Sequence, residues 1–513
     1  MRANNRMVIN TIILYGRLAV TMVVTLLSSR WVLMALGKED FGIYNLVAGL
    51  LSMLMFLNLT MATATQRFLS FALGKGKQKE IEETFYYSCI LHLITGFIIV
   101  VAIEVIGQVL LYTVLQIPEG KMYLAIFCLH TLSVSTFATV ISVPYNAVLI
   151  SHENIIFVAF VEIVSALLKL LLAIVLLDYA GERLKLYAIS MTIIPILQVL
   201  TYRTHCYRHY TETRFRIHKI SDKNLFRQMI SYAGWNLIGS ISSLLRTQGV
   251  SMLLNAFYGV MMNAAYGIAS QVKGQLNNFS TSIVTATRPQ IVKSEGQGNR
   301  QRVLTLSATT SKIAFLLLSM LSIPLMVEMP YILQLWLKNV PEYTVSFTRL
   351  IILINLVFQF SIGISIPIES VGKIRLLQIW VGGLHFIVLP IGYVMLKLSF
   401  SPDSIFVMIV CEEVIGIALR LFISQKVTGL NAKQFVKETI FPSILTTALL
   451  YFLSVSINRF MTEGFMRLVL TCCLSFLYMI IIGYNFTLTK FEQVHIRELA
   501  NKILRKLHLK NKL

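Results

Sequence analysis

Along this chain, apolar stretches of about 20 residues alternate with short polar gaps from Val8 to about Tyr484, and Lys and Arg collect in every second gap. A helix of that length crosses a bilayer, so the pattern predicts fourteen spans. They cover approximately 8–28, 42–64, 84–107, 122–149, 155–177, 184–202, 230–255, 260–286, 304–328, 345–369, 374–396, 404–424, 438–457 and 465–487. The fold class expected is an all-α polytopic membrane protein. Three cations, Arg17, Arg246 and Lys273, break the order by lying inside apolar stretches. A cation in hydrocarbon is costly unless it meets water or a partner. These three therefore predict a cationic internal cavity.

Polar residues within the spans fall on faces. At 100° per residue, Asn10, Arg17, Thr21, Thr25 and Ser28 share one arc of the first span, and Asn45, Gly49, Ser52, Thr60 and Thr63 share one of the second. Gly239, Ser242, Ser243, Arg246 and Gly249 form a small, polar stripe on the seventh. The eighth is the most polar: Gly267, Ser270, Gln271, Gly274, Gln275 and Asn278 make one face, which Lys273 and Asn277 widen. Small and hydroxyl residues also mediate helix packing in membranes, so each stripe has a packing alternative. For the eighth span, whose polar face exceeds half the circumference, a wet cavity is the better account.

Other charges in the spans have simpler readings. Glu162 and Lys169 lie seven residues apart on one face and could pair, and Glu412 or Glu413 could answer Arg420. Glu104 and Glu369 have no partner close in sequence, which makes them candidates for coupling to a proton or sodium ion. His92, His130 and His385 read as core residues. Arg246→Ala should abolish function while leaving membrane insertion intact, because removing a cation from hydrocarbon cannot harm folding by desolvation.

A shift of 222 residues aligns the second span with the eighth without a gap. Gly37 falls on Gly259, Tyr44 on Tyr266, Thr63-Ala64-Thr65 on Thr285-Ala286-Thr287, and Gly74 and Gly76 on Gly296 and Gly298. Six spans separate the copies, so both enter the membrane in the same direction. That is a parallel repeat, and transporters place substrate between such halves. The organisation predicted is a six-helix bundle over 1–202, a basic cytoplasmic linker over 203–229 and a second six-helix bundle over 230–424. Two further transmembrane helices over 425–487 and a basic tail over 488–513 complete it. In the linker, Ser221-Asp222 can cap a short helix bearing Leu225, Phe226 and Met229. In the tail, Val494, Ile496, Leu499, Ile503, Leu504 and Leu507 oppose Arg497, Lys502, Arg505 and Lys506, the pattern of an amphipathic helix on a membrane surface or of a solvated tail.

Composition agrees with this reading. Hydrophobic residues are 56% of the chain and charged residues 13%, against roughly 45–50% and 25% in soluble domains. The net charge of +21 is a matter of topology, not of nucleic acid. With the N-terminus inside, 29 of the 45 Lys and Arg fall in cytoplasmic segments, which places both termini in the cytoplasm. Anionic lipid headgroups are the natural partner of those segments. The first apolar stretch is too long for the core of a cleavable signal and contains Arg17. The six cysteines lack metal-ligand spacing, so packing is their expected role.

No Walker loop, zinc spacing or nucleophile elbow occurs. No catalytic residue, metal or cofactor is expected. The longest outer loop, about Glu328 to Thr344, is too short for a catalytic domain, which argues against a membrane glycan polymerase or ligase.

The stretch Leu36-Gly37-Lys38-Glu39-Asp40-Phe41-Gly42-Ile43-Tyr44-Asn45-Leu46-Val47 resembles the entry to the second span of Wzx-type bacterial polysaccharide flippases. These belong to the multidrug/oligosaccharidyl-lipid/polysaccharide exporter superfamily. Arg67 and Pro144-Tyr145-Asn146 are similar to that family as well, and the likeness in length and span number extends over nearly the whole chain. The resemblance implies two six-helix bundles working by alternating access in the bacterial inner membrane. It implies a substrate made of an oligosaccharide on undecaprenyl diphosphate, moved to the outer leaflet for surface polysaccharide such as O-antigen or capsule, and polysaccharide-assembly proteins as partners. Related lipid II flippases share the two extra C-terminal helices and have an arginine-rich cavity lined by the first, second, seventh and eighth spans. On this reading Arg17, Arg246 and Lys273 bind pyrophosphate or acidic sugar, and Gln271, Gln275, Asn277 and Asn278 contact the glycan. The rival on the same fold is a cation-coupled multidrug exporter, for which an acidic cavity is expected. A non-transporting role in an envelope complex is a third reading.

Overall fold

The computed structural model describes residues 3–113, 117, 120–214, 222–337, 339–490 and 492–493, with side chains at all of these except 3–9, 11, 12, 26, 38, 50, 52–54 and 260. The regular structure of the described residues is all helix, and no strand occurs among them. The chain divides into two compact units, one of Ile9–Leu237 and one of Ile238–Leu513 together with Met1–Val8. Ten helical stretches among the described residues are long and apolar enough to cross a membrane, and the other four expected spans also lie in long helices. The tail residues from Val494 onward, Ser221, and the side chain of Ser52 lie outside the described residues.

The first unit begins with α1 (Ala3–Lys75), which holds the first two spans as one helical element bent at Gly37. It continues with α2 (Gln78–Thr113), α3 (Met122–Ser151), α4 (Ile155–Asp178) and α5 (Arg183–His209). α6 (Lys223–Tyr258) follows a short 3₁₀ turn and passes into the second unit at Ile238. The capped helix expected after Ser221-Asp222 is the first turns of α6. There the Asp222 carboxylate accepts from the backbone N–H of Asn224 and Leu225 at 2.9 and 3.1 Å. α3 packs on α2 and α5, and α4 on α5.

The second unit is built on α7 (Val260–Gly296), α8 (Arg300–Val327), the short α9 (Met329–Leu337), α10 (Thr344–Val371), α11 (Arg375–Lys397) and α12 (Asp403–Thr428). Its packing repeats that of the first: α10 lies on α8 and α12, and α11 on α12. Helix starts recur at the offset seen in the sequence, Gln78 against Arg300 and Met122 against Thr344.

The aligned glycines explain why the repeat is visible. Gly37 sits at φ 75°, ψ 175° and Gly259 at φ 79°, ψ −172°, a region open essentially to glycine alone. Nothing lies within 4 Å of where either Cβ would be, so backbone conformation and not space demands the residue. Gly76 and Gly298, at φ 69° and 75°, end α1 and α7 in the left-handed conformation that closes a helix.

The last two spans are α13 (Ala432–Phe435) running through a π turn into α14 (Phe441–Phe460), and α15 (Phe465–Tyr478), prolonged by a π-helical segment to Thr487. Both pack on α8. Buried polar ties fix them there. Glu328, at the end of α8, accepts from Arg467 Nη2 at 2.8 Å and Nε at 3.1 Å, and Thr447 donates to Ser319 at 3.1 Å. Lys312 donates to Glu492 at 2.9 Å.

Candidate functional site

Arg246 lies in the middle of α6, and its guanidinium is not alone. Its Nη1 donates to Glu412 Oε2 at 2.5 Å and to Glu413 Oε1 at 2.8 Å, both from α12. The three side chains are 11%, 7% and 1% exposed, so the carboxylates are buried and Arg246 is the most accessible of the three. The other Glu412 oxygen sits 2.7 Å from Nδ1 of His385 on α11. The other Glu413 oxygen is 3.9 Å from Nη1 of Arg420, and neither atom has a hydrogen-bond partner among the described residues. The expectation that Arg246 could be deleted without harm to folding is overturned. Its loss would leave two buried carboxylates uncompensated, and breaking a buried pair this way costs about 3–5 kcal/mol.

Lys273, on α7, lies within electrostatic reach of Arg246 and Glu413 but forms no salt bridge with a described residue. Around it Gln271, Gln275 and Asn278 are exposed and Asn277 partly so. Their side chains make no hydrogen bond to a described residue, while the Asn277 and Asn278 carbonyls accept from Thr281 and Ser282. Gly267 and Gly274, on the same polar face, meet nothing within 4 Å of a Cβ position. The stripe on α6 differs. A Cβ on Gly239 would strike Gln378 and one on Gly249 would strike Leu389, while Ser242 is fully buried against Gly382. Small residues there let α6 approach α11 closely, which is the packing alternative.

In the first unit, Arg17 forms an ion pair with Glu162 of α4. Glu162 therefore pairs with Arg17 and not with Lys169, which is exposed and has no partner among the described residues. Asn10 is buried and donates to the Glu153 carbonyl, and Asn236 donates to Thr63 at 3.2 Å. Glu104 finds a partner across helices, His130 Nδ1 at 2.8 Å. Glu369 pairs with Arg288. His92 is buried, with Nδ1 at 2.8 Å from the Ser88 carbonyl. Cys128 and Cys206 are buried in the apolar core, whereas Cys411, Cys472 and Cys473 are exposed.

The structure thus brings Arg246 and Lys273 together in one unit and places Arg17 in the other. Sequence reasoning missed His385 and the shared role of Glu412 and Glu413. Adjacent acids in one span were the available signal, but which helix faces them is a tertiary matter. It also passed over Lys312 and Arg467 inside spans, both buried and paired.

A many-span helical membrane protein with an internally repeated helix order is the class these observations define. Residues 16–175 match the MatE family. Among solved structures of the same fold is an outward-facing multidrug resistance MATE family transporter of the MOP superfamily, 15% identical, with 86% of this chain and 98% of that chain covered and a TM-score of 0.68. A MATE structure in the straight conformation is 14% identical over 85% and 97% of the two chains, TM-score 0.70. A MOP superfamily transporter from Pyrococcus furiosus, described as having a binding pocket of reverse polarity that suggests a different function, is 15% identical over 84% and 96%, TM-score 0.68. Comparison with curated proteins gives no sequence match.

Proposed function

We propose that this protein is a secondary transporter that flips an oligosaccharide linked to undecaprenyl diphosphate across the bacterial inner membrane for surface polysaccharide synthesis. The observation that carries the reading is the sign of charge on the polar face of α7. Lys273 has no ion-pair partner among the described residues and lies within electrostatic reach of Arg246, amid exposed Gln271, Gln275 and Asn278. Three basic side chains, Arg246, Lys273 and Arg420, stand against two acidic ones, Glu412 and Glu413, an excess of basic groups in the cluster. Charge-assisted hydrogen bonds from such a face suit phosphate or acidic sugar. Uncharged amides suit sugar hydroxyls. The lipid tail needs no hydrated path.

A second reading, export of cationic drugs, is favoured by the same acids. Glu412 and Glu413 are buried carboxylates of the kind a cation exporter would use, and two of the related structures are MATE transporters. Charge reversal separates the two readings. In cells lacking the native protein, Lys273→Glu should abolish surface-polysaccharide display, since like charges in a partly desolvated site are poorly screened. Lys273→Arg, which keeps the charge but changes hydrogen-bonding geometry, should retain part of it. Normal display by Lys273→Glu, or strong efflux of cationic dyes by the unmodified protein, would favour the exporter.

A further inference from the structure

We propose that binding of a diphosphate anion at Arg246 and Lys273 is coupled to uptake of a proton by the Glu412–His385 pair. The inference rests on the reading of an anionic cargo and assigns the acids of the site a role in it. Arg246 is already answered by two carboxylates through a single nitrogen. An anion brought to this guanidinium becomes a third negative group around one cation, in a place where Glu413 is 1% exposed. Like charges so placed disfavour ionisation, and a proton on one of them relieves the conflict.

The geometry selects the acceptor. Glu413 faces two cations, Arg246 at 2.8 Å and Arg420 at 3.9 Å, and no neutral acceptor. Glu412 faces Arg246 on one oxygen and His385 on the other, and His385 is a group that can itself accept a proton. Among the described residues, the other charged or titratable groups within electrostatic reach of the cluster are Lys273 and Tyr266 from α7 and, from α10, Glu369, which is itself paired with Arg288. None of these offers a second neutral acceptor next to Arg246. The proton comes from solvent and is held between Glu412 and His385, across their 2.7 Å contact, as the anion arrives, so that both are needed to keep it, and it leaves when the anion does.

The test uses the full-length protein in lipid nanodiscs, with farnesyl diphosphate and inorganic pyrophosphate as anionic probes and ethidium as the cationic one. Calorimetry in two buffers of different ionisation enthalpy counts protons exchanged on binding. The expected result is about one proton taken up per diphosphate, with affinity falling about tenfold per pH unit above neutrality. Glu412→Gln, which is neutral at every pH, should bind diphosphate more tightly at pH 8, take up no proton and flatten the pH dependence. If that variant fails to fold, His385→Gln, which leaves the Arg246 pairs in place, should still lower the proton count. Diphosphate binding with no proton exchange overturns the coupling and leaves the cargo reading intact. Binding of ethidium and of neither diphosphate at any pH overturns both. Binding of pyrophosphate but not of the prenylated probe keeps the coupling and removes the lipid from the cargo.

Discussion

Gly259 and Arg246 show how much a single position carries in this protein. Gly259 occupies a backbone region that a Cβ makes expensive, with no neighbour to blame for crowding. Gly259→Ala should destabilise by about 1–3 kcal/mol, read as a lower thermal midpoint of the purified protein in nanodiscs. An unchanged midpoint would show that the bend tolerates side chains. Arg246→Ala should destabilise by about 3–5 kcal/mol because Glu412 and Glu413 lose their cation. The check is to compare it with Arg246→Ala combined with Glu412→Gln and Glu413→Gln, which should recover much of the loss. Equal destabilisation by the single and triple variants would mean the cost comes from packing.

Between elements, the polar ties along α8 decide whether the last two spans stay in place. Lys312 is 2% exposed and its partner Glu492 lies just beyond the final span, where the Thr489 and Glu492 side chains and backbone N–H groups cap each other. Burial works against the ionised Glu492 carboxylate, but Lys312 and the Thr489 N–H more than offset it and hold its pKa below the usual carboxylate range. The sign follows from a lowered folded-state value. The pair stabilises above about pH 4.3, the ordinary glutamate value, and its contribution is lost as pH falls through the lowered one. Glu492→Gln should therefore lower the thermal midpoint at pH 7 and narrow its gap to the unmodified protein as pH drops toward 3. A gap that is independent of pH would show that the side chain acts by shape alone.

Over the whole molecule, the distribution of cations and the even number of expected spans make a joint statement about topology. Single cysteines near Lys77, near Arg214 and in the tail should be protected from an impermeant reagent added to intact cells, because all three sites fall on the cytoplasmic side of the Lys and Arg bias. Labelling of any one from outside would break the assignment and, with it, the parallel repeat. The match to MatE over residues 16–175 lies wholly within the first unit. The two units nevertheless repeat the same helix order and the same packing partners.

The amino-acid sequence by itself determined the helices, their approximate limits and the repeat. These depend on apolar length, and on backbone conformations that glycine alone adopts at Gly37 and Gly259, and both are local properties. It also marked α7 as a polar helix, since Gln271, Gln275 and Asn278 recur on one face whatever surrounds them. Only tertiary structure decided which charges meet. Arg17 is answered by Glu162 at a distance of 145 residues and Arg246 by Glu412 and Glu413 at 166 and 167. Periodicity gives the face of a helix but not its neighbour. A cation that looks stranded in hydrocarbon is therefore told from a paired one only when the facing helix is in place. The small-residue stripe on α6 was ambiguous for the same reason: Gly239 and Gly249 could serve water or close packing, and the side chains of Gln378 and Leu389 on α11 settled it.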